Sequence, residues 1–394
     1  MTLQIHKITL WLLFVFIFLF PKGGIKTNNI PITWGYTLLA LATFFSILRP
    51  KIRITKNRLY ALFSLLPLQI LIVYSLIING NSHIGYTIAL LMSLFIIPLG
   101  FYIGFSKELD EWHLDSFKKM LSQGMLFVSA YGIFLFWYKL LIGEFIEIPF
   151  LTVNFHDVGT LETTKYIDRG GIFKLISTYN NGNVYGICLL ILLPFYNLIE
   201  SSKIKRIIVK TSLLLTLSRT VWYGLIFTEI LTYLYVYRIT LKTWVKLPLV
   251  LLTYSQLIRW INKLLEYGNE FIFDTTMGGR QTQFSTFRNF TLFPSRPFHG
   301  IDEIVPLSML NELGLMGIIS YYIAFTVPIF LALNQKYKSQ NQKSFIVGMI
   351  TYMFVSLSDG AFLLIPTLAI FFFVASLAQQ EKIYDPHVPK RAVF

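Results

Sequence analysis

The chain has 394 residues, of which 55% are apolar and only 14% are charged, although its formal net charge is +14. An ordinary soluble domain carries about 25% charged residues, so this composition excludes soluble, disordered and collagen-like proteins. The single cysteine, Cys188, leaves no intrachain disulfide possible. The sequence therefore predicts an all-α polytopic membrane protein, in which a basic excess usually reports topology rather than nucleic-acid binding.

Apolar stretches along the chain predict about twelve transmembrane helices, since a helix needs about 20 apolar residues to cross the hydrocarbon core. In chain order the predicted spans are 8–21, 30–48, 59–79, 84–105, 120–143, 172–199, 205–218, 220–237, 246–261, 305–333, 344–358 and 361–379. The last two spans are separated by Ser358-Asp359-Gly360, which is typical of a turn. We expect the whole chain, 1–394, to form one integral membrane domain.

The distribution of Lys and Arg predicts that both termini lie in the cytoplasm (N-in/C-in). Cytoplasmic flanks of membrane helices carry an excess of these residues, and most of the 34 Lys and Arg fall in the inner segments when the N-terminus is placed inside. Two long segments then lie outside, an acidic one at 144–171 and a second one at 262–304, before the tenth span. The second segment interleaves arginines with phenylalanines, which indicates amphipathic pieces at the membrane interface.

The sequence contains no recognisable nucleotide-binding loop or cluster of metal ligands. The Gly-x-Gly-x-x-Gly and Gly-x-x-x-x-Gly-Lys-Ser/Thr patterns are missing, which argues against cytoplasmic ATP chemistry. No group of His, Cys and Asp and no Asp-x-Asp pair indicates a bound metal ion. We therefore expect neither a cofactor nor a metal site.

Three arginines on the predicted outer side are candidates for phosphate binding. Arg219 lies between the seventh and eighth spans, Arg280 follows a Gly-Gly pair in the long outer segment, and Arg288 comes eight residues later. A guanidinium binds phosphate bidentately and keeps its charge, so convergent arginines would bind a lipid pyrophosphate and stabilise its departure. The alternatives are a snorkelling Arg219 at a helix end and contacts of Arg280 and Arg288 with anionic lipid headgroups.

Acidic residues nearby are candidates for proton transfer. Asp302 and Glu303 precede the tenth span and would accept a proton from an attacking hydroxyl, although carboxylates are also common at helix N-termini. Glu312 and Glu229 lie deeper in predicted spans, where charges usually face the bundle interior. Either residue could be functional, or paired or protonated; the sequence favours a structural role for Glu229. Asp359 at the outer turn is a further candidate.

Several short motifs resemble one known family. In chain order they are an Asn-containing element at Thr178–Asn183, a Thr-x-Ser-Arg motif at Thr216–Arg219, Gly279-Arg280, an element similar to Pro-Leu-x-Gly at Pro297–Gly300, and one similar to Leu-x-Glu-x-Gly-Leu-x-Gly at Leu310–Gly317. By their order, spacing and common outer side these motifs resemble the O-antigen polymerase and ligase superfamily, over roughly residues 170–320.

The resemblance implies a GT-C-like membrane glycosyltransferase at the outer face of the bacterial cytoplasmic membrane. Its donor would be an oligosaccharide on undecaprenyl pyrophosphate, and its partners a chain-length regulator and a flippase of the same pathway. Arg219 and Arg280 would grip the donor pyrophosphate, with Glu303 or Asp302 assisting the acceptor hydroxyl. Arg288, His299 and Glu312, with Asn181 and Asn183 as sugar contacts, would bind substrate.

Within that superfamily the sequence favours a polymerase of O-antigen or capsule repeat units over a ligase. Ligases, which transfer glycan to lipid A–core, usually show a His-Asn pair where this chain has Glu303-Ile304. A transporter or flippase of lipid-linked sugars is the alternative from another class, but no two related halves are visible. A peptidoglycan-type polymerase or another membrane glycosyltransferase shares the same lipid-pyrophosphate chemistry.

The topology predicts that a cysteine introduced anywhere in 262–300 reacts with a membrane-impermeant thiol reagent added to intact cells. The chain has one cysteine of its own, so background labelling is easily identified. Labelling that requires cell lysis would overturn the predicted orientation.

Overall fold

The computed structural model describes residues 2–19, 23–27, 30–47, 54–80, 83–106, 109, 114–150, 152–153, 155, 158–159, 161, 173–237, 290–363 and 365–380, together with the isolated positions 248, 252, 255, 256, 259, 280, 283 and 284. The predicted ninth span, 246–261, lies mostly outside the described residues. Most of the two outer segments, 144–171 and 262–304, lies outside them as well, and so does Arg288.

In the first half of the chain the named elements of the described part are helices and one small hairpin. The elements are α1 (Thr2–Phe14, continued by a π-helical turn at Val15–Leu19), β1 (Gly24–Thr27), β2 (Ile30–Thr33), α2 (Trp34–Ile47), α3 (Lys56–Phe63), α4 (Leu66–Ile78), α5 (Ile84–Leu91, continuing through π-helical turns to Gly104) and α6 (Leu114–Ile142). The two strands pair antiparallel, with Gly24 opposite Thr33 and Thr27 opposite Ile30.

The second half of the chain carries the candidate site residues. Its elements are α7 (Gly182–Ile199), α8 (Lys203–Leu214), α9 (Arg219–Leu231, continued by a π-helical turn at Thr232–Val236), α10 (Val305–Leu333), α11 (Gln340–Val355) and α12 (Ile365–Ala378). Hydrogen bonds of Asn183 with Asp359, of Thr220 with Ser358 and of Val305 with Ser356 place the starts of α7, α9 and α10 at one end of this helix group. They lie beside the turn between α11 and α12.

Helix length and hydropathy identify a helical, multi-pass membrane protein, as the composition predicts. Five described helices are long and apolar enough to cross a membrane: Lys56–Ile78, Ile84–Gly104, Lys118–Ile142, Gly182–Ile199 and Val305–Leu333. Shorter apolar helices occupy Ile8–Leu19, Trp34–Ser46 and Ile365–Ala378. The count of twelve spans is therefore not confirmed within the described part of the chain.

Two predicted spans begin later in the structure than the hydropathy indicates. The span predicted to begin at residue 30 begins at Trp34, because Ile30–Thr33 pairs with β1 as a strand. The span predicted from residue 172 begins at Gly182, because Ser177–Tyr179 forms a tight 3₁₀ turn and Asn180 adopts a left-handed conformation with φ of 54°. Apolar composition alone does not distinguish such buried turns from helix.

Helix α7 is the most buried of the five long spans. In its most apolar stretch 83% of the residues are buried, against 39–44% in the other four long spans. Glycines bring its neighbours close: a Cβ on Gly186 would lie 2.3 Å from a methyl of Val221, and one on Gly348 would lie 2.2 Å from the carbonyl oxygen of Ile191. Small residues commonly permit such close packing between membrane helices.

Glu229 forms a buried ion pair at the opposite end of this helix group. The Lys210 Nζ lies 2.9 Å from its Oε2, and the Asn197 side-chain amide donates to its Oε1 at 2.8 Å. These contacts join α7, α8 and α9. A buried carboxylate needs such partners to remain charged, so Glu229 has a structural role here.

We expect Gly348→Ala to lower the free energy of unfolding of the detergent-purified protein by about 1–3 kcal/mol, because the new methyl group forces α11 away from α7. The measurement is the thermal unfolding midpoint. Gly104→Ala is the matched control, since its Cβ would meet nothing closer than 3.9 Å. Equal midpoints for the two variants would contradict the tight α7–α11 contact.

Candidate functional site

The candidate site lies where the starts of α7, α9 and α10 meet the turn between α11 and α12. Backbone hydrogen bonds fix that turn against the residues before α10: the Gly360 N–H donates to the Glu303 carbonyl at 3.2 Å, and the Val305 N–H donates to the Ser356 carbonyl at 3.2 Å. The turn therefore holds Asp359 beside Glu303.

Arg280 contacts the carboxylates of both Glu303 and Asp359. Its Nε donates to the Glu303 Oε2, and its Nη2 lies 3.8 Å from the Asp359 Oδ2. The Arg280 side chain is 15% exposed, that of Asp359 is 8% exposed, and that of Glu303 is 49% exposed. One guanidinium thus faces a buried and an accessible carboxylate, and these three side chains carry a net negative charge when both acids are ionised.

Asp359 has the most perturbed protonation equilibrium of these residues. Burial, followed by repulsion from Glu303, raises its pKa from 3.8 to about 6, although Arg280 and two hydrogen bonds oppose this rise. Those bonds come from the Asn183 side-chain amide to Oδ2 and from the Ala361 N–H to Oδ1, the latter at 3.2 Å. An acid with a pKa near neutrality in a polar cluster is a candidate for function.

Asp359 did not stand out among the candidates in the sequence, yet it lies at the centre of the site. Its sequence signal is a charge at the turn between two long apolar runs. A carboxylate in such a position is costly to bury and needs partners from other helices. Those partners, Asn183 and Arg280, are distant in sequence, so the signal does not identify them.

Arg219 is the first residue of α9, and its neighbour Thr220 contacts the turn between α11 and α12. The neighbouring Thr220 hydroxyl makes a 2.8 Å hydrogen bond with the Ser358 hydroxyl, one residue before Asp359. The turn that precedes α9 contains Leu217 with a φ of 48°, an uncommon conformation for a branched residue. This tight turn fixes the start of α9 and therefore the position of the Arg219 backbone.

The two candidate asparagines have different surroundings. Asn181 caps α7, since its Oδ1 accepts hydrogen bonds from the backbone N–H groups of Asn183 (2.9 Å) and Val184 (3.2 Å). This is the usual position and chemistry of an N-cap asparagine. The Asn183 side chain instead donates to Asp359. Asn181 therefore orders the helix start from which Asn183 reaches the site.

Glu312 and His299 form a second group with Arg296, a residue that was not among the candidates. The Arg296 Nη2 donates to the Glu312 Oε1 at 2.9 Å, and the His299 backbone N–H donates to the Glu312 Oε2 at 2.7 Å. The His299 Nδ1 lies 3.9 Å from the same Oε2. The Glu312 side chain is only 4% exposed, so these protein partners occupy its oxygens.

Two candidate residues remain, Asp302 and Arg288. The Asp302 backbone N–H donates to the Ser308 hydroxyl at 2.8 Å, which ties the residues before α10 to the first turn of that helix. Arg288 falls outside the described residues. Among the residues that the structure describes, no three His, Cys, Asp or Glu side chains are grouped so as to hold a metal ion.

Comparison with known proteins adds no family assignment. No family model, no curated protein and no solved structure matches the chain. The class of protein that the structure defines is therefore a multi-pass helical membrane protein with a polar cluster at one end of the bundle. Its chemistry has to be inferred from that cluster.

Proposed function

We propose that the chain is a membrane glycosyltransferase that polymerises lipid-linked polysaccharide repeat units of O-antigen or capsule. It would act at the outer face of a bacterial cytoplasmic membrane, with about twelve spans, both termini inside and a GT-C-like architecture. The observation that carries this proposal is Arg280 held between Glu303 and Asp359 at the meeting point of three helix starts. The motif resemblance over residues 170–320 supplies the substrate class.

In this proposal the donor pyrophosphate exchanges with Glu303 at Arg280. The guanidinium fork that now contacts a carboxylate has the geometry to bind two phosphate oxygens. Arg219, at the start of α9, supplies a second positive charge close to the same turn. The incoming pyrophosphate then separates Glu303 from Arg280. Glu303, half exposed, becomes available for the acceptor.

Glu303 then acts as the general base. The acceptor sugar hydroxyl loses its proton to the Glu303 carboxylate, and its oxygen attacks the anomeric carbon of the donor glycan. The bond between that carbon and the phosphate oxygen breaks, and undecaprenyl pyrophosphate leaves with the electron pair. Attack opposite the leaving group inverts the anomeric centre. Arg280 and Arg219 stabilise the negative charge that develops on the pyrophosphate, so the scheme is metal-independent.

The other polar groups of the site support this step. Asn183 and Asp359 hold the guanidinium side of the cluster in place through their hydrogen bond. His299 and Arg288 belong to the outer segment that would border the sugar units. Chain length would depend on a partner protein, and a flippase would deliver the repeat units to the outer face.

We expect Arg219→Lys and Arg280→Lys each to reduce polymer formation at least about tenfold, because an ammonium cannot make the planar two-point contact with phosphate. The test uses a strain that lacks the gene and carries a plasmid copy of either the wild type or a variant, with equal expression, and displays the cell-surface glycan on a gel. Arg206→Lys, an arginine at the start of α8 on the other end of the helix group, is the matched control.

The same experiment separates the rival functions. Single repeat units on the anchor in the deletion strain support a polymerase. Polymer that accumulates on undecaprenyl would indicate a ligase, and no change in either product would favour a transporter or another pathway. Wild-type chain lengths in both Lys variants would contradict the role of the arginines in binding pyrophosphate.

The Asp359 pKa of about 6 predicts a pH-dependent affinity for the donor. Below this value the acid is neutral, and above it the carboxylate repels the donor pyrophosphate, whose two phosphates stay ionised throughout. The apparent KM for the lipid donor should therefore rise with pH above about 6, by at most about tenfold per pH unit. Steady-state rates of the purified protein on a synthetic donor provide the measurement.

Asp359→Asn should remove this rise, because an amide does not titrate. Glu144→Gln, which changes an exposed carboxylate on the other outer segment, should retain it. The assignment of this pH dependence to Asp359 would be wrong if the donor KM rises equally with pH in the wild type and in Asp359→Asn.

A further inference from the structure

Helix α10 is broken at Gly314, and an outer segment is docked into the break. Gly314 has a φ of 74° and a ψ of −171° in the interior of the helix. The N–H groups of Leu315 and Met316, which lose their helical partners there, donate to the carbonyls of Thr291 (2.8 Å) and Leu292 (3.1 Å). We call residues 290–300 the outer strap.

The close approach of the outer strap requires glycine at this position. A Cβ on Gly314 would lie 2.7 Å from the Thr291 carbonyl oxygen and 2.8 Å from that of Leu292. Positive φ in this range is also strained for any residue with a side chain. Both the backbone conformation and the contact with the outer strap therefore depend on Gly314.

The Glu312 side chain, two residues before the break, binds the outer strap through hydrogen bonds. One carboxylate oxygen accepts from the Arg296 guanidinium and the other from the His299 backbone N–H, at 2.9 and 2.7 Å. A carboxylate that is 4% exposed is stable only with such partners. Removing it leaves two donors of the outer strap without this acceptor.

The far side of the outer strap rests on the connection between α4 and α5. The Phe298 N–H donates to the Gly80 carbonyl at 3.3 Å, and the Phe298 side chain is 1% exposed. A Cβ on Gly300 would lie 3.0 Å from the Tyr86 ring. The outer strap is thus held between α10 and the first half of the bundle, and the chain reaches Glu303 three residues later.

We propose that Glu312 and the break at Gly314 clamp the outer strap and so position Glu303 against Arg280. This inference rests on the proposed function and deepens it: Glu312 is a positioning residue that contacts the outer strap rather than the sugar. Arg280 and Glu303 lie on either side of the outer strap in sequence. The turn between α11 and α12 also holds the Glu303 backbone, so releasing the clamp displaces Arg280 from Glu303 and weakens both donor binding and the chemical step.

The experiment measures both order and rate in the full-length protein in lipid nanodiscs. A nitroxide on Ser295→Cys, an exposed position within the outer strap, reports its mobility by electron paramagnetic resonance, and the native Cys188 is buried. In this background the tested variants are Glu312→Ala, Glu312→Gln and Gly314→Ala, with Gly104→Ala as the control. Polymerisation of a synthetic lipid-linked repeat unit gives kcat and the donor KM.

We expect Glu312→Ala and Gly314→Ala to mobilise the label, to lower kcat by about tenfold to a hundredfold and to raise the donor KM as well. Glu312→Gln keeps an acceptor for the His299 N–H, so it should restore most of the order and most of the rate. Gly104→Ala should match the labelled parent protein. If Gly314→Ala does not fold, the Ala and Gln variants of Glu312 decide between the outcomes.

A label that stays immobile in Glu312→Ala would overturn the clamp. A mobile label with unchanged kcat would overturn its positioning role, and a raised donor KM with unchanged kcat would make Glu312 a substrate contact. If the labelled parent protein makes no polymer, the proposed function fails instead, and the label mobility still decides whether the clamp exists.

Discussion

The structure at the candidate site depends on accommodating one buried carboxylate, that of Asp359. A buried acid is costly unless charge pairs and hydrogen bonds replace its hydration. Asp359 obtains these from a helix start (Asn183), from the outer segment (Arg280) and from its own turn (the Ala361 N–H). Each of these partners fixes the position of the element that carries it. Satisfying this one acid therefore brings together residues from parts of the chain that are far apart in sequence.

Two polar clusters at opposite ends of the bundle differ in charge balance, and this difference suggests different roles. At one end Lys210 pairs with Glu229, so the pair is neutral and joins α8 to α9. At the other end Arg280 faces two carboxylates, and the pKa of Asp359 is raised to about 6 as a result of burial and of this crowding. A neutral pair is well suited to structure. A guanidinium that contacts two carboxylates, one of them accessible, is suited to exchange that carboxylate for a charged ligand. The acids beside it are suited to take up a proton.

The sequence predicts where helices lie more reliably than which residues meet. The apolar runs at 84–105 and 305–333 correspond closely to α5 with its continuation and to α10, because hydropathy is a property of neighbouring residues. Hydropathy did not predict the β1–β2 hairpin, since short apolar strands and helix starts have similar composition. The Asn183–Asp359 contact joins residues 176 positions apart, and no local pattern encodes it. Depth in an apolar run did predict that Glu312 faces the bundle interior, but it did not identify Arg296 as its partner.

The break in α10 connects the local geometry of one helix with the arrangement of the polar cluster. A continuous helix would satisfy its own N–H groups and offer nothing to a loop, whereas the turn at Gly314 exposes two donors to the carbonyls of Thr291 and Leu292. The outer strap is thereby anchored on α10, the same helix whose start carries Glu303. Arg280 enters the site from the other side of the outer strap, so the relative placement of acid and arginine is set by a segment fixed at α10 and at the α4–α5 connection. A loop without such anchors would have to order both residues when the substrate arrives, at a cost in conformational entropy. Local irregularity in one helix thus provides the rigidity that the polar cluster requires.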